Sequence, residues 1–221
     1  MKQVMIFGSG GHANVVIDLI EKQGNFEIIG LLDDFRNIGE SLAGYEILGG
    51  LENFIELYES YSHPSIVIAI GDNYSRRQVC EKLIAKSANI SFPSLIHPSA
   101  SIGKDVKISQ GVIIMAGAVV QCNSVLWDFS FVNTNASVDH DLDLGKFSSI
   151  GPGCTLGGNC KIGECSVISI GATLIEKIEV GNNCIIGAST LLNDNCPDNA
   201  IMYGIPGKFI RSRIIGERYL K

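Results

Sequence analysis

Residues 132–168 read, in blocks of six, VNTNAS VDHDLD LGKFSS IGPGCT LGGNCK IGECSV I. Every block opens on Val, Leu or Ile. The phase runs on in both directions through Ile96, Ile102, Ile108, Ile114, Val120, Leu126, Val132, Val138, Leu144, Ile150, Leu156, Ile162, Ile168, Leu174, Val180, Ile186 and Leu192. Those three types make up roughly a quarter of the chain, so an unbroken run of this length has a chance on the order of 10⁻¹⁰. Four places after each aliphatic stands a mostly small residue, such as Ala118, Ser130, Ala136, Ser148, Ser166, Ala172 or Thr190; Leu142 and Ile178 are larger. A helix cannot carry the pattern, because six residues turn it by about 600°, far from whole turns. A solenoid with three short flat faces per coil can, with the aliphatic inside and the small residue at a tight corner. Gly or Asn in the turn positions is expected to permit unusual backbone angles, with the glycines directly after the aliphatic, as in Ile102-Gly103, Leu144-Gly145, Ile162-Gly163 and Val180-Gly181, as examples. Three hexapeptides make one coil, so residues 96–197 supply between five and six coils of a parallel β-helix.

Outside the repeat the chain reads differently. Val4 to Phe7 reads as a buried strand, followed by the turn Gly8-Ser9-Gly10-Gly11-His12-Ala13 and a helical stretch, Asn14 to Gln23. Phe26 to Leu32 is a second strand that ends in Asp33-Asp34. Ser65 to Ile70 is a third, ending in Gly71-Asp72-Asn73, with a helix near Arg76 to Ser87. Strands alternating with helices imply a small parallel α/β sheet, a Rossmann-like half. The expected organisation is therefore residues 1–92 as an α/β domain and 93–221 as the β-helix with a short C-terminal helix, Phe209 to Leu220. The glycine turn fits a loose G-x-G-x-x-A fingerprint, with Asp33 about 20 residues on. About 90 residues make one mononucleotide-binding half, with no second half for a nicotinamide. A nucleotide binder without redox chemistry fits better, with phosphate at the helix start and hydroxyls or a base edge at the strand-end carboxylates.

The 221 residues are 46% hydrophobic and 18% charged, which excludes intrinsic disorder. A net charge of −6 argues against nucleic-acid partners, since phosphate neutralisation needs clustered Lys and Arg. No apolar run approaches the roughly 18 residues of a membrane span, and the start is too short in apolar residues for a signal peptide. A cytoplasmic protein is expected. The seven cysteines match no zinc spacing, and no metal is expected. Cys154, Cys160, Cys184 and Cys196 occupy the small-residue slot, which marks them as packing residues. Of the four histidines, His63 and His97 precede prolines and read as connecting residues. His140 sits in a hexapeptide turn, Val138-Asp139-His140-Asp141, and one coil later the stacked position is Gly158, leaving space beside the ring. A neutral imidazole can take a proton near working pH, and a neighbouring carboxylate can orient it and stabilise its cation.

Together, the GSGGH turn, the LDD strand end, the AIGDN motif ahead of Arg76 and the uninterrupted repeat resemble the sugar acetyltransferases of the PglD/NeuD type, within the hexapeptide-repeat acyltransferases. The resemblance spans essentially the whole chain. It implies a left-handed β-helix, a hand opposite to the usual crossover rule. It further implies acetyl-CoA as co-substrate, a nucleotide-linked amino sugar as acceptor and direct transfer without a covalent enzyme intermediate. His140 matches the family's base, with Asp141 and Asn133 as its companions. Gly10, Gly11, His12, Asp33, Asp34 and Gly71 match the sugar-nucleotide contacts, extended here to Asp72, Asn73 and Arg76. Ser149, Ile170 and Ala188 match the acetyl-CoA contacts. Ser149 departs from those relatives that carry a second histidine there, and it cannot donate as a cation. Tyr203-Gly204-Ile205-Pro206-Gly207-Lys208 is similar to a G-x-P-A-K signature; Lys208 is expected either to meet CoA phosphates or to belong to a loop before the final helix. Closed three-fold assembly of such proteins implies a homotrimer with acetyl-CoA between neighbouring coils, aided by outward apolar residues such as Val119, Val125 and Val167. The implied reaction is N-acetylation, on a 4-amino-4,6-dideoxy type of sugar, for bacterial surface glycans. O-acetylation of sialic acid or another nonulosonic acid, and a non-catalytic sugar-nucleotide scaffold, stand as alternatives.

Overall fold

The structure is a computed structural model that describes residues 1–219. The chain divides into two compact units, residues 1–95 and the remainder from Ile96. Leu220, the end of the expected final helix, lies outside the described residues. Among the described residues, no helix is long and apolar enough to cross a membrane.

In the first unit, β1 (Lys2–Phe7) lies between β2 (Phe26–Leu32) and β5 (Ser65–Ile68), parallel to both. Its apolar run, Val4 to Phe7, is continuous because it is buried in the middle of the sheet. β4 (Tyr45–Gly49) adds in parallel to β2, and β3 (Ser41–Leu42) pairs antiparallel with β4. That hairpin and α2 (Phe54–Ser60) carry no strong sequence motif. Helix α1 (Gly11–Gln23) joins β1 to β2 and buries Ala13, Val16, Ile17, Leu19 and Ile20 at helical spacing. It ends at Gly24, whose φ of +67° supplies the left-handed C-cap. Helix α3 (Asn73–Lys86) starts at Asp72, whose Oδ1 accepts the Ser75 N–H at 2.9 Å. The order β4-β2-β1-β5 makes the gap between β1 and β5 the point where successive connections leave in opposite directions. In open α/β sheets, ligands bind in that crevice, outside the carboxyl ends of the strands.

The second unit is the expected solenoid. Its two-residue strands form three parallel sheets, and strands of successive coils pair at an offset of 18 residues, as in Val119↔Ser137, Val125↔Asp143 and Phe131↔Ser149. The inward aliphatics from Val120 to Leu192 are no more than 3% exposed. Burying each contributes about 1.5–3 kcal/mol.

The corners meet the expectation at asparagines such as Asn123, Asn135, Asn159 and Asn183, which have positive φ, but not at the glycines directly after the aliphatic. Gly103, Gly145, Gly163 and Gly181, directly after an aliphatic, do not have positive φ. They are required for close stacking: a Cβ on Gly145 would stand 2.7 Å from the Ile162 carbonyl oxygen and 2.9 Å from the Glu164 nitrogen of the next coil. The left-handed residue stands two places later, at Asn123, Phe129, Asn135, Asp141, Phe147, Asn159, Cys165, Lys177, Asn183 and Ser189, or at Gly111, Gly117, Gly153 and Gly171. From Asn123 to Ser189 each donates its N–H to a carbonyl of the preceding coil, as Asp141 does to the Cys122 carbonyl at 3.0 Å, while Gly117 donates to Ser99 Oγ at 3.1 Å. This repeated bond holds even Phe and Lys in the αL region.

Two further expectations are corrected. The segment after Lys208 is not a helix: Ala200–Tyr203 extends the third sheet and Lys208–Ser212 returns antiparallel along its edge. The last coil would otherwise end on unpaired backbone groups, and this strand satisfies them. Val167 is not an exposed apolar residue. It is buried in a cluster with Ile185 and Ile201, against which Tyr219 packs, while Val119 and Val125 are half-buried.

Candidate active site

His140 is presented by the turn between the strands Ser137–Val138 and Asp143–Leu144. Its Nδ1 lies 2.6 Å from Asp141 Oδ2, and its backbone N–H donates to Asp139 Oδ1 at 2.8 Å. Asp141 can turn its carboxylate beside the ring because its own φ is +58°. A carboxylate only accepts, so Nδ1 carries the hydrogen and the Nε2 lone pair is left for proton abstraction. Nε2 lies over Gly158, at 2.6 Å from where a Cβ on that residue would stand. The side chain is 47% exposed. The hydrogen bond to Asp141 raises the imidazole pKa above its ordinary 6.5; partial burial opposes this, and the charges of Asp139, Asp141 and Glu176 add to it. The sequence reading quoted Asp139 in the turn without giving it a role and missed Glu176. The available signal was the 18-residue stacking that places Glu176 above Gly158 and Gly158 above His140.

The other residues expected in the repeat lie elsewhere on the same coils. Asn133 sits in the turn between the third and first sheets, where its Oδ1 accepts the Thr134 N–H at 2.8 Å. Ile170 and Ala188 occupy that same corner one coil apart, Ile170 with 63% exposure. Ser149 faces outward on the third sheet, buried, and Lys208 opens the final strand, exposed. Within one chain, therefore, His140 and the residues expected to hold acetyl-CoA stand on different corners of the coil. The slot cysteines are interior. Cys154 Sγ donates to the Ser169 carbonyl at 2.9 Å, and burial pushes its thiol up to about 11, the opposite of a nucleophile's adjustment.

In the first unit the glycine turn and the strand ends meet. Gly8, at φ +112°, approaches β5 so closely that a Cβ would stand 2.9 Å from the Ala69 carbonyl oxygen. Gly10 is the N-cap of α1 without a side-chain cap, and nothing lies within 4 Å of a Cβ position on Gly10 or Gly11. Such an uncapped helix start is an anion cradle. Asp33 spends both carboxylate oxygens on backbone order: Oδ2 accepts from Ser9 N at 2.9 Å and Ser9 Oγ at 2.6 Å, and Oδ1 accepts from Phe35 N at 2.8 Å. Asp34 Oδ1 accepts from Leu51 N at 2.7 Å. Arg76 is wholly buried and donates to the carbonyls of Ile70 and Gly71 and to Asn73 Oδ1, so it braces the Gly71–Asn73 loop. Burial, with the Arg76 guanidinium adding to it, holds the His12 imidazole down to about 4. Asp72 is 8% exposed, and its Oδ2 is closed to solvent with no hydrogen-bond partner. A buried carboxylate oxygen in that state is an unsatisfied acceptor at the edge of the glycine turn. Ser9 was missed as the link between the turn and Asp33; only its place between two glycines hinted at it.

His63 packs edge-on against Tyr58, and His97 Nδ1 lies 2.8 Å from Ser99 Oγ, so neither joins a reactive cluster. Among the described residues, no group of three or more His, Cys, Asp or Glu could hold a metal ion.

Comparison with known proteins places this arrangement. Residues 3–83 match the family model of the PglD N-terminal domain. Over 118 residues the chain is 35% identical to a UDP-N-acetylbacillosamine N-acetyltransferase of Bacillus subtilis; the match spans about half the length of that curated relative, 52% of each chain. PerB from Caulobacter crescentus, solved in complex with CoA and GDP-perosamine, is 30% identical, with a TM-score of 0.88 over 96% of this chain and 98% of that one. The acetyltransferase domain of PglB from Neisseria gonorrhoeae, solved with acetyl coenzyme A, is 38% identical, with a TM-score of 0.85 over 95% of this chain and 99% of that one. With that identity across nearly its whole length and the PglD N-terminal domain in its first unit, the chain belongs to the PglD-type sugar acetyltransferases of the hexapeptide-repeat superfamily.

Proposed function

We propose that this protein transfers the acetyl group of acetyl-CoA to the amino group of a nucleotide-linked amino sugar of the 4-amino-4,6-dideoxy type, with His140 as general base. The observation that carries the reading is the 2.6 Å contact of His140 Nδ1 with Asp141, which turns an unprotonated Nε2 outward over Gly158. The neutral amine attacks the thioester carbonyl carbon, and a C–N bond forms. Nε2 takes a proton from the amine nitrogen, and Asp141 stabilises the resulting imidazolium. Collapse breaks the C–S bond, and the proton passes to the departing CoA thiolate. The cysteine slot takes no part.

The work divides between the units. The first holds the nucleotide part of the acceptor, its phosphates at the Gly10–Gly11 helix start and a donor group of the ligand against Asp72 Oδ2. The repeat unit carries the base and the acetyl donor. His140 and the Asn133, Ile170 and Ala188 corner stand apart on one chain, so we assign acetyl-CoA to a cleft between neighbouring copies in a homotrimer acting in the cytoplasm, for bacterial surface glycan synthesis.

The test is CoA release with acetyl-CoA and UDP-, dTDP- or GDP-linked 4-amino sugars, alongside light scattering for the trimeric mass. His140→Ala should lower kcat by roughly 10²–10⁴-fold, the range for a positioned general base. Transfer to hydroxyls with amines inert, or a folded His140→Ala protein within about threefold of wild type, well below that range, would overturn it.

A further inference from the structure

Among the described residues, Phe35 is the most exposed large apolar side chain, at 91%. It follows directly on Asp33 and Asp34 at the carboxyl end of β2, and nothing in the fold of the first unit uses its ring. Its backbone, by contrast, is pinned. Phe35 N–H and Ser9 N–H donate to the two oxygens of the same Asp33 carboxylate, at 2.8 and 2.9 Å. One side chain therefore fixes the distance between the glycine turn and the residue that carries the exposed ring. Ile38, three places on, is 66% exposed and adds a second apolar side chain to the same loop.

We infer that Phe35 is the stacking platform for the nucleobase of the acceptor, an inference that rests on the first unit being the nucleotide site. In a sheet of this order, the ligand lies outside the carboxyl ends of β1 and β5, with its phosphates at the start of α1. The ribose then runs toward the end of β2, and the base goes beyond it, where Phe35 stands. A base presents an apolar face and a polar edge, and an exposed aromatic ring on a fixed backbone covers that face with little conformational loss. Stacking is tolerant of base identity, because every base has a π-face. Phe35 thus selects for a nucleotide over a sugar phosphate, while leaving the choice among bases to groups at the base edge.

The test measures binding of UDP, GDP and ribose 5-diphosphate, which lacks the base, to the full-length protein by calorimetry. Phe35→Ala should weaken UDP and GDP by roughly 5–100-fold and change ribose 5-diphosphate by less than about twofold. Phe35→Tyr should restore the affinity for UDP and GDP. If wild type binds UDP and GDP and Phe35→Ala binds them equally well, the stacking role is wrong and the nucleotide site stands. Equal weakening of all three ligands would make Phe35 a loop-shaping residue and overturn the inference. Wild type binding neither UDP nor GDP would overturn the nucleotide reading of the first unit, and this inference with it.

Discussion

Alanine at Gly158 isolates the geometry of the base from its chemistry. Gly158 does not have positive φ, so its backbone accepts an L side chain. The added methyl would stand 2.6 Å from His140 Nε2 and 2.7 Å from its Cε1, where carbon contacts normally settle near 3.5–4 Å. The coil backbone is fixed by its ladder bonds, including Asn159 N–H to the His140 carbonyl at 2.9 Å, so the ring must give way by about 1 Å. A displacement of that size in a catalytic group costs on the order of 10²-fold in rate. Stability should hardly move. The half-exposed ring can swing into water, the loss of a solvent-screened His–Asp contact changes stability little, and the Gly→Ala change returns about 0.4–1 kcal/mol through the unfolded chain. The assay pairs kcat at saturating acetyl-CoA and amino-sugar nucleotide with thermal unfolding. An intact midpoint with kcat within about threefold of wild type, far from the expected loss, would mean that the imidazole need not lie over Gly158, and the base assignment would lose its geometric support.

Three further outcomes follow from named contacts. Asp141→Asn removes the largest contribution raising the His140 pKa, so the acidic limb of kcat/KM should move to lower pH and kcat should fall by less than in His140→Ala; a limb that stays in place would assign it to the substrate amine. His12 is held at about 4 against an ordinary 6.5; its folded value is depressed, so below pH 6.5 the unfolded chain binds a proton that the folded one refuses. That stability is present above pH 6.5 and is lost as pH falls toward 4, by about 3 kcal/mol at most, and chemical denaturation at both ends of the window in wild type and His12→Gln reads it; an identical pH slope in the variant would refute it. Leu144, wholly buried between Leu126 and Ile162 of the adjacent coils, should cost about 2–5 kcal/mol on replacement by alanine, and a cost under about 1 kcal/mol in denaturant titration would contradict the closed interior.

The sequence by itself determined the solenoid, because one inward residue in every six is a constraint that survives in one dimension: each coil must bury the same position against the next. It determined the α/β unit for a similar reason, since Val4 to Phe7 and the face Ala13-Val16-Ile17-Ile20 show their burial in local periodicity. It also placed His140 beside Asp141, since adjacency in sequence is adjacency in a turn. Tertiary structure decided what depends on stacking between coils. The left-handed corner fell on Asp141 and its equivalents, because the bond to the preceding coil outweighs residue preference, and the glycines two places earlier serve backbone approach instead. The segment after Lys208 became a strand because the open edge of the last coil offered hydrogen bonds that an isolated helix could not match. Asp33 is engaged on both oxygens, and Arg76 is buried beneath the loop it shapes; neither is legible in a linear motif, where a charged residue beside a glycine turn reads as a contact to ligand. The separation of His140 from the Asn133 corner is likewise a matter of which face of a three-sided coil each hexapeptide reaches, and that is set only when the chain winds.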